Sequence, residues 1–237
     1  LNHVAGPDKL YEALTGKTPW TDASFEDAIA KIDMFQQNGW FMGGLDRYYT
    51  LTFAERDAMF ASGEAAMNIE GTWFMSSALN LFGEKNDNPN EWDWVPMPSM
   101  TGEAIYDLGI GGSWSINKDT QYPDAAAEFL TYYYSPQIQA ALPKAGFNAG
   151  PVKLSSADLE GVDPRFVAIL EAMGEASEKG DYGYLSWAFY PPKTEAFLVD
   201  IEKVWSGELT PAQYLEGLDK QFQEELTANE VPPIPER

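Results

Sequence analysis

The sequence contains no cysteine and a single histidine, His3. Without cysteine there are no disulfides, thiolate metal sites or sulfur nucleophiles. With one histidine, a Ser-His-Asp triad or a histidine-built metal site is a poor reading, and His3 is expected as a surface or helix-end side chain. Basic residues are also scarce. Lys and Arg number 15 against 37 Asp and Glu, a net charge of −22, and arginine occurs only at 47, 56, 165 and 237. Such a chain repels phosphate backbones and anionic lipid, and it has no basic stripe for a nucleic acid. The acidity reads as solubility. No stretch reaches the ~18–20 apolar residues of a membrane-spanning helix. No export signal opens the chain either, and LNHVAGPDKLYEAL looks like the interior of a domain. An N-terminal portion beyond this sequence is therefore expected.

What is present is globular: 44% hydrophobic and 22% charged over 237 residues, enough for one large domain or two modest lobes. Helical spacing dominates. Leu10, Tyr11 and Leu14 precede Gly16. Phe25, Ile29, Ile32 and Phe35 form a stripe that starts at Ser24, taken as the cap, and ends at Gly39. Further helices are expected over about 53–62, 73–82, 123–134, 136–142, 165–177 and 192–206. A last helix starts at the cap pair Thr210-Pro211 and carries Leu215, Leu218, Phe222 and Leu226. Short strands are expected at residues 65–73, where Met67 and Ile69 alternate with polar residues, and at GIGGSWSIN, 109–117. Residues 95–98 read as an extended crossing between lobes, and 180–186 as a Gly/Tyr-rich loop. For an α/β protein this is strand-poor.

The conspicuous residue type is tryptophan, eight in all with 14% aromatics. Trp20, Trp40, Trp92 and Trp205 read as structural. Trp73, Trp114 and Trp187 sit at element ends beside glycine, tyrosine and polar residues. There a flat ring can meet the apolar C–H face of a pyranose while nearby polar groups satisfy its hydroxyls. Glycosidase chemistry needs two carboxyls about 5–10 Å apart; Glu70 and Asp107 are candidates, but no spacing singles out a pair. The run Asp87, Asn88, Asn90, Glu91, Asp93 lacks the central glycine and terminal glutamate of a calcium loop. GIGGSW opens no helix and makes a poor dinucleotide fingerprint. No cofactor and no metal are expected.

The order of several segments then becomes informative. FASGEAAMNIEGTW (60–73), VPMPS (95–99), GIGGSWSIN (109–117), PDAAAEFLTYYYSPQIQ (123–139) and GELTPAQYLEGL (207–218) resemble, in order, motifs of the family 1 extracellular (periplasmic) solute-binding proteins of ABC transporters. The resemblance spans nearly the whole chain. It implies an α/β, periplasmic-binding-protein type II-like two-lobed fold, incomplete and helix-rich here, of which this is the C-terminal portion. Residues 1–103 and 153–237 would belong to the C-terminal lobe and 104–152 to a returning segment of the N-terminal lobe. It implies a binding protein, not an enzyme, that closes on a neutral mono- or oligosaccharide and is read by ABC permease subunits at the periplasmic or cell-surface side of the membrane. Its partners would be the carbohydrate, the permease and the missing N-terminal part of the same protein. Carried over, Trp73 matches the stacking aromatic after the turn, Gly111, Gly112 and Trp114 match the cleft-facing Gly-Gly strand, and Tyr184 and Trp187 match another aromatic platform. Glu70 is a possible hydroxyl acceptor. The rivals are a cationic solute such as a polyamine on the same fold, a glycoside hydrolase, and a sensor or adhesion domain.

Overall fold

The structure is a computed structural model that describes residues 1–109, 112–150, 152 and 154–236. Gly111, one of the expected site residues, lies outside the described residues. Helices account for nearly all the regular structure. Packing divides the chain into two compact units. One comprises Leu1–Leu51, Pro96–Gly111 and Glu175–Arg237, and the other Thr52–Val95 and Gly112–Gly174.

In the first unit the core gathers around Trp20, which is fully buried. Its ring meets Phe25 at 5.5 Å, Tyr190 at 5.4 Å and Phe222 at 5.6 Å. The expected stripes account for much of this core. Leu10 and Leu14 come from the Pro7–Leu14 helix, Phe25 and Ile29 from the Ala23–Gln37 helix, and Leu215, Leu218 and Phe222 from the Pro211–Thr227 helix. Burying a side chain of this size contributes roughly 1.5–3 kcal/mol. Thr210 caps the last helix as expected, in a reciprocal pair with Gln213. Ser24 does not cap its helix. Asp22 does, because its carboxylate accepts from both the backbone N–H and the hydroxyl of Ser24, at 2.9 and 2.6 Å. Gly39 closes that helix in the left-handed conformation, φ 68°.

The strands differ from expectation. Neither 65–73 nor the described part of 109–117 forms a ladder. Instead β1 (Tyr106–Leu108) pairs in parallel with β2 (Tyr182–Tyr184), inside the segment expected as a loop. A strand exists only where a partner meets it, and the partner is set by packing. Gly183 faces Asp107 across the pair, and a Cβ there would run into the Asp107 carboxylate and the Asn2 amide. Asn2 completes the edge. Its amide donates to the Tyr184 carbonyl and accepts from the Tyr184 N–H, both at 3.1 Å, and also donates to Asp107 Oδ1 at 2.7 Å. His3 is at a helix end but buried, 9% exposed, with Nε2 at 3.0 Å from Asp107 Oδ2. The expectation of a surface histidine is thus corrected in part.

The second unit packs the Phe53–Ala61 and Phe74–Leu81 helices through Ala61, Phe74, Ala78 and Phe82. The Pro164–Lys179 helix adds Phe166 against Met75 and Val162; its residues from Glu175 onward are counted with the first unit. Asn88 donates to the carbonyls of Ala61 and Leu81, and Gln139 bridges the Tyr133 carbonyl and the Gly150 N–H. Arg165 forks onto Asp163, donates to the Trp92 carbonyl and lies 4.0 Å from the Trp92 ring centre. The stripe of the Pro123–Tyr133 helix is not buried, and Phe129 is half exposed.

Two outcomes follow from this packing. Glu225, 1% exposed, accepts from the N–H groups of Lys193 and Thr194 and from the Thr194 hydroxyl at 2.7–2.8 Å, which caps the otherwise uncapped Pro192–Phe197 helix from across the core. Glu225→Ala is expected to destabilise the chain by about 2–4 kcal/mol in urea denaturation. Separately, the Arg165 fork holds the Asp163 carboxyl below its ordinary 3.8. A lowered carboxyl contributes stability that is complete above its unfolded value and is lost as pH falls through the folded one. Between pH 6 and pH 3 the urea midpoint of the wild type should therefore fall further than that of Asp163→Asn.

Candidate functional site

The segment from Met67 to Gly71 forms neither helix nor strand, with Met67 and Ile69 exposed. It ends in a turn where the Gly71 carbonyl accepts from the Phe74 N–H at 3.0 Å and the Phe74–Leu81 helix begins. Trp73, the residue before that helix, folds its ring back over Gly71. Any Cβ at position 71 would stand against the six-membered ring, so glycine is required there by close approach, not by backbone conformation. The indole Nε1–H donates to Glu70 Oε2, which also accepts from the Gly71 N–H at 3.3 Å. Glu70 Oε1 is ion-paired with Arg56 Nη2. Arg56 comes from the Phe53–Ala61 helix, also bonds Asp57 at 2.9 Å, and lies 5.0 Å over the Phe53 ring. The Glu70 side chain is only 9% exposed, whereas Trp73 is 49% exposed. The result is a charge-compensated carboxylate beneath an open aromatic surface.

Glu70 and Trp73 are thus brought together, and Arg56 joins them. That arginine was not anticipated. No local motif marks it, and only helix packing brings it to Glu70. Both Glu70 oxygens are engaged by the protein, one by the Arg56 guanidinium and the other by the Trp73 indole and the Gly71 N–H. Trp114, in the same unit, is 56% exposed and sits against Tyr133 at 5.5 Å and Phe129 at 6.2 Å. At Gly112 a Cβ would meet nothing within 4 Å. In the first unit Tyr184 is a core ring, 2% exposed. It packs on Phe189 at 5.2 Å and Tyr11 at 6.1 Å, and its hydroxyl donates to the Pro235 carbonyl. Its neighbour Trp187 is 52% exposed and has an open surface; Gly109 approaches it closely. Trp40, expected as structural, is 63% exposed while still touching Phe35.

The carboxylates nominated for hydrolysis are both engaged: Glu70 with Arg56 and Trp73, Asp107 with Asn2 and His3. Among the described residues no group of three or more histidines and carboxylates could hold a metal ion. A cavity of about 420 Å³ in the second unit is lined by Leu159, Glu160, Val167 and Glu171, and none of the expected site residues lines it.

With this geometry in hand, comparison with known proteins is informative. The pattern of the family described as bacterial extracellular solute-binding protein matches residues 14–140. No curated protein matches the chain. A chitin oligosaccharide binding protein of known structure is similar over 94% of this chain and 54% of its own, with TM-score 0.69 and 22% identity. A second structure, from work on xylan utilization by the thermophilic bacterium Caldanaerobius polysaccharolyticus, is similar over 92% of this chain and 56% of its own, with TM-score 0.64 and 18% identity. The chain therefore has the periplasmic-binding-protein type II-like α/β fold and spans about half the length of these structures.

Gly71→Ala should displace the Trp73 ring and cost roughly 1–3 kcal/mol through overpacking. A shift of the Trp73 indole N–H resonance in a ¹H–¹⁵N spectrum, together with a lower urea midpoint, is the expected result.

Proposed function

This chain belongs to the family of bacterial extracellular solute-binding proteins, and from that premise we propose that its solute is a neutral mono- or oligosaccharide. The observation that carries the reading is the half-exposed Trp73 ring over Gly71, with the one carboxylate beside it already paired to Arg56. A pyranose presents an apolar C–H face to such a ring, and the Glu70 carboxylate beside it is ion-paired with Arg56. Trp114 and Trp187 are proposed as further stacking surfaces, with Gly112 leaving the backbone open beside Trp114; Gly111 is proposed as a site residue from its place in the motif alone. Tyr184 acts from the core, by holding the backbone that carries Trp187. The chitin oligosaccharide binding protein and the structure from the xylan work support a saccharide as the ligand class.

The wider role is that of the substrate-binding component of an ABC importer, exported to the periplasm or cell surface and read by permease subunits. It binds without catalysis. Residues 1–103 and 153–237 are assigned to a C-terminal lobe and 104–152 to a returning segment of an N-terminal lobe, with the sugar held by hinge closure of the whole protein. A polyamine ligand would need a free carboxylate beside the rings, and Glu70 is not free.

The test is calorimetric titration of neutral sugars, chitin oligosaccharides and xylo-oligosaccharides among them, into this chain and into any longer product that contains it. Saturable binding is expected, weakened by about 2 kcal/mol, ~30-fold, in Trp73→Ala. Heat with spermidine and none with any sugar would replace the saccharide by a cationic solute. Hydrolysis of a chromogenic glycoside by the purified protein would replace binding by catalysis.

A further inference from the structure

Arg56 is one of only four arginines in a chain of net charge −22. It is spent on a carboxylate that no catalytic step uses. A nearly buried Glu70 without it would be an uncompensated charge beside the Trp73 ring. With it, both carboxylate oxygens are committed, Oε1 to the guanidinium and Oε2 to the Trp73 Nε1–H and the Gly71 N–H. The guanidinium is itself held from two further sides, by Asp57 and by the face of Phe53. The chain thus runs from helix to arginine to carboxylate to indole, and every link is a directional contact.

We propose that Arg56 is a positioning residue for ligand recognition. Through Glu70 it fixes the Trp73 ring over Gly71, so that the site offers an aromatic face and neither an indole N–H nor a free carboxylate. This rests on the saccharide reading above and adds a determinant of specificity to it. With the N–H turned inward to Glu70, the ring recognises C–H faces and is not a donor to ligand oxygens. With Glu70 paired to Arg56, a cation gains less at this position than it would from a free carboxylate. Arg56 sits behind Glu70 and acts without touching the ligand. Its removal would loosen the carboxylate that holds the indole N–H and leave that carboxylate more available to cations.

Two readouts test the proposal in the full chain. The first needs no ligand. The Trp73 Nε1–H resonance, assigned by its loss in Trp73→Phe, should move in Arg56→Met and stay near its wild-type position in Arg56→Lys, which keeps the charge and so controls for general damage to the fold. The second is a double-mutant cycle in oligosaccharide affinity. Arg56→Met should weaken binding roughly tenfold in the wild-type background and have no further effect in Trp73→Ala. An indole resonance unmoved by Arg56→Met overturns the proposal, as does an affinity loss that adds in full to that of Trp73→Ala. If the resonance moves as expected but the wild type binds no saccharide, the saccharide reading fails and Arg56 is left as a holder of Trp73 alone, which overturns its role in recognition.

Discussion

Every backbone polar group that leaves a helix and is buried must still find a partner, and in this chain buried side chains supply many of those partners. The described residues contain one parallel pair of three-residue strands, so a sheet cannot do it. The Asn2 amide serves both the N–H and the carbonyl of Tyr184, standing in for a third strand. In the other unit Asn88 donates to the carbonyls that end two helices, at Ala61 and Leu81, and Gln139 joins the helix-end carbonyl of Tyr133 to the Gly150 N–H. Glu225 satisfies a helix start from across the core. These groups are costly to bury unless fully bonded, and their geometry leaves little slack.

The same logic governs the candidate site. Trp73 lies at a helix start that has no side-chain cap, and Glu70, three residues earlier, gathers the Gly71 amide and the indole N–H onto one oxygen. The negative charge this brings would be unfavourable near an apolar ring, and Arg56 compensates it from a neighbouring helix. In the proposed reading, structural satisfaction and ligand recognition are one network. The surface that results carries a half-exposed aromatic ring, which is why a molecule with apolar faces and hydroxyl edges is the ligand proposed for it.

Large exposed rings elsewhere have the same character. Trp114 packs on Phe129 and Tyr133 along a helix with no buried residue, and Trp187 lies within the short Ser186–Phe189 helix, close to Gly109. Contiguous exposed aromatic surface is uncommon on a protein with no partner, and it marks where other molecules or other chain segments are met.

The sequence by itself determined most of the helices and many of their apolar faces, because helical periodicity is local and each helix satisfies its own hydrogen bonds. Phe25, Leu215 and Phe222 could be placed in a core from spacing alone, and Trp73 could be set at a turn from the glycine before it. The family, too, was legible in the order of short motifs. Only the tertiary structure decided where the strands fall, since Tyr106–Leu108 and Tyr182–Tyr184 are strands by virtue of each other across more than seventy residues. It also decided that Asp22 and not Ser24 caps its helix, that Tyr184 is buried, and that His3 meets Asp107. Above all it decided that Glu70 belongs to Arg56 and Trp73, because a carboxylate's role depends on which charges and donors the fold brings to it, and that is not encoded in its neighbours along the chain.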